Sequence, residues 1–208
     1  MRLPNPPLLV ITDRRQAHTP LSELASQALA GGCRWISIRE KDLPRQQQID
    51  LVHTLTSRLT GADICLTIHG SAELAAAAGA QGVHLPSGSD ARAARTVLGP
   101  ARLIGVSVHN AAQTLLLDPA LVDYAVAGPA FETASKPGYG PPLGVAGIAA
   151  LASETPVPII AIGGISPASV PDLRRAGAAG IAVMGGVMRA RDPAEEVRSL
   201  IAALASFD

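Results

Sequence analysis

The sequence predicts a single (β/α)8 TIM barrel with parallel strands, one domain over residues 1–208. Three observations point to it. Short apolar runs without polar alternation recur along the chain, the pattern of parallel strands buried on both faces. Strand and helix alternate through eight units with no composition break and no linker, which implies a parallel sheet, and eight units suggest closure where a doubly wound sheet normally has fewer. The last two runs, Pro158–Ile165 and Gly180–Gly186, each end in two glycines, Gly163-Gly164 and Gly185-Gly186. Paired glycines let a backbone approach a ligand closely and present its N–H groups. At the seventh and eighth strand ends this is the usual place of a barrel's phosphate site. The four glycines are therefore candidate phosphate ligands, against the plainer reading that they only turn the chain from strand to helix.

The elements follow in order. Leu8–Asp13 reads as the first strand, and Pro20 opens a helix to about Ala30, closed by Gly31-Gly32. Trp35–Lys41 is the second strand, and a helix begins near Pro44 and runs to about Leu59. Ile64–Ile68 is the third strand, followed by an Ala-rich helix capped by Ser71. Gly82–Leu85 is a short fourth strand, and Asp90 caps a helix that stops before Gly99-Pro100. Leu103–Val108 is the fifth strand with Asn110 as the next cap, and Asp123–Ala130 is the sixth. A Gly/Pro-rich loop, the longest in the chain, runs from Phe131 to Pro142. Asp192-Pro193 starts the last helix as a cap with proline at the first position.

Composition narrows the function. Aromatics are 2% of the chain, too few for nucleic-acid stacking platforms, and 17 basic residues balance 17 acidic ones with no charged block. Neither nucleic acid nor membrane is an expected partner. No apolar run is long enough to span a bilayer, and the start Met1–Pro7 has no signal-peptide pattern, so a cytoplasmic location is expected. Cys33 and Cys65 show neither metal spacing nor a disulfide framework. The expected partner is a small molecule; a homo-oligomer stays open.

Active sites of such barrels lie at the C-terminal strand ends. On the second strand Ser37, Arg39 and Lys41 alternate onto one face, an odd content for a buried strand unless it holds an anion. His69, His84 and His109 close strands three, four and five, and three of the chain's 5 histidines at one mouth favour proton transfer or ligand contact over three separate core histidines. No carboxylate or cysteine completes a zinc set, so no metal is expected. Ser107 shares the face of His109. Thr133, Ser135 and Lys136 add hydroxyls and a cation on the long loop, where an ordinary polar lid is the alternative.

Taken in order, Ile11-Thr12-Asp13-Arg14, Ile38-Arg39-Glu40-Lys41, Gly82-Val83-His84-Leu85, Gly105-Val106-Ser107-Val108-His109, Gly128–Lys136, Ala161–Ile165 and Gly180–Met184 resemble the thiamine phosphate synthase/TenI superfamily over nearly the whole chain. The resemblance implies a (β/α)8 barrel of thiamine biosynthesis acting on a thiazole phosphate. Its synthase branch joins a pyrimidine diphosphate to the thiazole phosphate with Mg²⁺ on the diphosphate. That branch carries Asn-Asp after strand three and an acidic residue following Gly-Gln after strand four. Here those positions read His69-Gly70 and Pro86-Ser87-Gly88-Ser89, and Asp90 is one residue beyond. Glycine and serine do not replace two carboxylates as Mg²⁺ ligands.

Leu85–Ser89 resembles instead the TenI branch, a metal-independent tautomerase that aromatises a thiazole phosphate carboxylate. That pattern has a histidine after the glycine of strand six, where this chain has Pro129, while Thr133–Lys136 is nearer the synthase pattern. The main expectation is thus an isomerase, a thiazole tautomerase without cofactor, its proton carried by His84, His109 or His69. The alternatives are a thiamine phosphate synthase, the one case in which Mg²⁺ is expected, and an idle barrel that binds a thiazole or thiamine phosphate.

Overall fold

A computed structural model describes residues 3–133, 135 and 141–206. Its eight strands, β1 (Leu8–Ile11), β2 (Trp35–Ile38), β3 (Cys65–His69), β4 (Gly82–Leu85), β5 (Leu103–Val108), β6 (Tyr124–Ala127), β7 (Ile159–Ile162) and β8 (Gly180–Val183), pair in chain order and close on themselves, with every pairing parallel. The expected barrel is the observed one. Helices α1 (Leu21–Ala30), α2 (Arg45–Arg58), α3 (Ala72–Ala77), α4 (Ala91–Leu98), α5 (Ala111–Leu115), α6 (Gly144–Ser153) and α7 (Val170–Arg175) each follow one strand, and β8 is followed by the single turn α8 (Gly185–Met188) and by α9 (Pro193–Ala205).

Local chemistry starts the helices where the sequence predicts. The side chains of Ser71, Asp90, Asn110 and Asp192 each accept a hydrogen bond from the backbone N–H three residues on, satisfying a donor that the first turn leaves open. Pro20 and Pro44 stand at the N-cap positions of α1 and α2. The strands are shorter than predicted: β1, β2 and β6 end at Ile11, Ile38 and Ala127, so the polar residues beyond them belong to the loops that form the mouth.

Apolar runs suit this barrel because each strand buries both faces. The outward faces pack with the helices in one cluster that includes Ile36, Leu66, Val83 and Ile104. The inward faces make a second cluster around Leu9, Trp35, Leu103, Tyr124 and Ile160. Trp35 and Tyr124 meet edge to face with ring centroids 4.7 Å apart, and Tyr124 lies across Gly105, where any Cβ would strike its ring. This plug fills the barrel below the C-terminal strand ends.

Ser37 belongs to that plug level and not to the site. It is 0% exposed, two residues below Arg39. Period-two alternation predicts its inward face but carries no depth: Ser37 is buried and is not among the residues that line the cavity. Among the described residues no helix is long and apolar enough to cross a membrane.

Candidate active site

The C-terminal strand ends enclose a cavity of about 390 Å³, within the range of small-molecule sites. Arg39, Lys41, His69, His84, Ser107, His109, Thr133, Ser135, Gly163, Gly164, Gly185 and Gly186 all line it. Lys136 lies outside the described residues. The apolar part of the wall comes from Ile11, Val126, Ile162 and Met184.

One pole of the cavity is cationic, and a buried carboxylate builds it. Glu40 sits between Arg39 and Lys41 and is 2% exposed. Its carboxylate accepts from Thr12 Oγ1 at 2.8 Å, from the Arg14 backbone N–H at 3.1 Å and from Arg14 Nη1 at 3.1 Å. Thr12 Oγ1 in turn accepts from the Arg39 backbone N–H at 2.9 Å. Asp42 pairs with Arg14 and Arg15, and the hydrogen bonds from Arg14 hold its carboxyl well below the usual range. These acids are spent on tying the β1 loop to the β2 end. Among the described residues none pairs with Arg39 or Lys41, which both face the cavity. Burial, and then the like charge of Arg39, push the Lys41 ammonium below its ordinary value. Two neighbouring cations in that state are stabilised by an anion.

The histidines differ from one another. His84 is 3% exposed, with Nε2 2.9 Å from Ser107 Oγ and its ring tilted 43° against that of His69, centroids 4.5 Å apart. Burial, then the charges of Lys41 and Arg39, push its pKa down to about 3, so His84 is neutral at physiological pH. The sequence expectation that His84 charges and discharges near neutrality, from its unperturbed value, is therefore corrected. His109 Nδ1 lies 2.9 Å from the Gly128 carbonyl oxygen, which can only accept. The neutral ring must carry its proton on Nδ1, leaving Nε2 as the basic nitrogen.

His84 also makes stability depend on pH. Its folded pKa is depressed, so its contribution is complete above the unfolded value near 6.5 and is lost as pH falls toward about 3. Across that window the His84→Asn variant should show a shallower fall in urea-unfolding free energy, by up to about 1.4 kcal/mol per pH unit. Identical acid limbs for parent and variant would contradict this.

The two glycine pairs are not equivalent. Gly163 has φ 103° and Gly164 φ 62°, the left-handed region that favours glycine. A Cβ on Gly163 would meet Pro129, and one on Gly164 would meet Phe131 and the Glu132 carbonyl, because the loop after β6 runs directly over them. That loop continues the sheet: Ala130 N–H donates to the Ile162 carbonyl at 2.7 Å and Phe131 N–H to the Gly163 carbonyl at 3.0 Å. Gly185 and Gly186 have ordinary φ. A Cβ on Gly186 would find only Glu196 Oε1, at 3.6 Å, so its side faces α9. Gly185 is small for another reason: the Arg189 guanidinium and the Ser135 hydroxyl lie where its Cβ would be.

The donor set does not fit the Mg²⁺ expected of the synthase branch. Where the resemblance implies two carboxylates this chain has Gly70 and Ser89, and Asp90 Oδ1 accepts the Ala93 N–H at 2.9 Å as the cap of α4. Among the described residues no group of three or more His, Cys, Asp or Glu could hold a metal. Sequence reasoning missed Arg189 and Glu40. Gly185 and Arg189 are four apart on one helical turn and so share a face, a signal that was available. Glu40 was visible as the residue opposite Arg39 and Lys41 in alternation, but its burial was not.

Comparison with known proteins identifies the family. Residues 8–187 match the family described as thiamine monophosphate synthase. The thiamine-phosphate synthase of Roseiflexus sp. (strain RS-1) is 38% identical over 95% of this chain and 84% of its own length. That of Roseiflexus castenholzii is 37% identical over 92% and 85%. The solved structure of a thiamine phosphate pyrophosphorylase from Pyrococcus furiosus superposes with a TM-score of 0.84 at 28% identity, covering 96% of each chain.

Proposed function

The chain belongs to the thiamine monophosphate synthase family, enzymes of thiamine biosynthesis, and from that premise we propose that it joins a pyrimidine diphosphate to a thiazole phosphate with release of diphosphate. The relatives' names favour this transfer over the tautomerisation first expected from the sequence. The observation that carries it is the two-pole mouth, with Arg39 and Lys41 on the β2 side and the glycine wall of β7 and β8 on the other. The glycine wall takes the thiazole phosphate and the cations take the diphosphate. As the diphosphate leaves, negative charge grows on it, and preorganised cations in a partly desolvated cleft stabilise that charge more than they stabilise the bound reactant. The apolar wall of Ile11, Val126, Ile162 and Met184 receives the two rings and excludes water. Arg39 and Lys41 supply positive charge to the leaving diphosphate.

A second reading rests on His109. With Nδ1–H on the Gly128 carbonyl, its Nε2 is the base that a metal-free thiazole tautomerase requires, in place of the histidine that Pro129 replaces. A crystal structure with thiamine phosphate and inorganic diphosphate tests the choice. The transfer reading expects the diphosphate on Arg39 and Lys41 and the phosphate against Gly163, Gly164 and Gly185. A diphosphate that stays off both cations sinks it.

A further inference from the structure

We infer that Arg189 is the cation of the phosphate pole, folded back over Gly185, and that Gln16 holds its place until phosphate arrives. The inference rests on the reading of that wall as a phosphate site and names the side chain that completes it.

Four observations carry it. Arg189 lines the cavity, although it lies beyond β8 as the C-cap residue of α8. Its guanidinium crosses Gly185, whose backbone is ordinary, so the space that the absent Cβ leaves is filled by the tip of the Arg189 side chain. Its hydrogen-bond partners are uncharged: Nη1 donates to Gln16 Oε1 and to Ser135 Oγ, the latter at 3.3 Å. Among the described residues no carboxylate pairs with it, whereas Arg14, Arg15 and Arg95 all have such partners. A full cation held at a pocket wall by neutral oxygens is a site for an anion.

The same bonds define the resting state. Gln16 is anchored through Nε2 to Asp13 Oδ2 at 2.5 Å and presents Oε1 to both Arg189 and Ser135, whose hydroxyl donates to it at 3.2 Å. One amide oxygen thus collects the two donors that a phosphate oxygen would take. It ties together the loops after β1, β6 and β8, and phosphate replaces it as their common acceptor. A guanidinium can bind a phosphate bidentately, which the ammonium of lysine cannot.

The test is calorimetric titration of the folded chain with inorganic phosphate. Arg189→Gln should weaken binding at least tenfold, and Arg189→Lys should recover only part of it. Gly185→Ala displaces the folded-back side chain and should weaken binding as Arg189→Gln does, with the double variant no worse than either single one. Gln16→Ala removes the competing acceptor and should leave phosphate affinity equal or higher. Circular dichroism melts of each variant check that it is folded; Arg189 is exposed and its replacement should leave the melt unchanged. Parent-like phosphate affinity in Arg189→Gln, or additive losses in the double variant, overturns the inference. Because the probe is inorganic phosphate, failure to make thiamine phosphate would remove the transfer reading and leave this result standing.

Discussion

Replacing Arg39 and Lys41 together by alanine should lower kcat/KM for the pyrimidine diphosphate by about 10²–10⁴. Each charge-assisted hydrogen bond is worth roughly 1.5–3 kcal/mol, and each roughly 1.4 kcal/mol of barrier is a factor of ten in rate. Two such contacts to one leaving group account for the range. The structure makes the loss specific, because the neighbouring acids are already committed. Glu40 holds Thr12 and Arg14, and Asp42 holds Arg14 and Arg15, so removing the two cations leaves no buried acid newly unpaired. The variant should therefore fold normally. Arg39→Lys should restore only part of the loss, since the planar fork of arginine is absent. Steady-state kinetics with the diphosphate varied and thiazole phosphate held constant reads the effect. A double variant within threefold of the parent would mean that both are exposed loop charges with no role.

The second large effect separates Gly164 from Gly186. Gly164→Val should weaken inorganic phosphate binding by more than tenfold, whereas Gly186→Val should stay close to the parent. At Gly164 the backbone is left-handed and the loop from Phe131 to Glu132 lies in contact, so a branched side chain strains the backbone and pushes the loop off the mouth. At Gly186 the backbone is ordinary and the added carbons face Glu196 on α9. From the sequence alone the pairs look interchangeable, and either glycine would be expected to matter. Equal losses in both variants would show that the added volume reaches the phosphate from either side, against the geometry described here.

The fold was legible because its signals are local. Four-residue apolar runs buried on both faces can be read without knowing their partners, and Ser71, Asp90, Asn110 and Asp192 cap helices through bonds that span three residues. Most of the site was legible for the same reason: barrel topology brings strand ends together, so residues that follow apolar runs meet at one mouth. What failed to show depends on depth or on contacts between distant loops. Ser37 faces inward, as alternation requires, yet lies below the mouth. His84 carries an ordinary histidine's signature in sequence, but burial beside Lys41 and Arg39 makes it a neutral ring. Arg189 meets Gln16 across 173 residues, a contact that no local pattern carries. Asp90, one residue beyond Ser89, caps α4 through the Ala93 N–H, a role that its position before a helical pattern predicts.

The most direct test of the transfer reading is a product assay. The purified chain is incubated with pyrimidine diphosphate and thiazole phosphate, with and without a metal chelator, and thiamine phosphate and inorganic diphosphate are both quantified. The account predicts the two products in equal amounts, with a rate that the chelator leaves within a few-fold of its value. Absence of thiamine phosphate, in a preparation that converts the thiazole phosphate carboxylate tautomer to its aromatic form, would contradict it and put the tautomerase reading in its place.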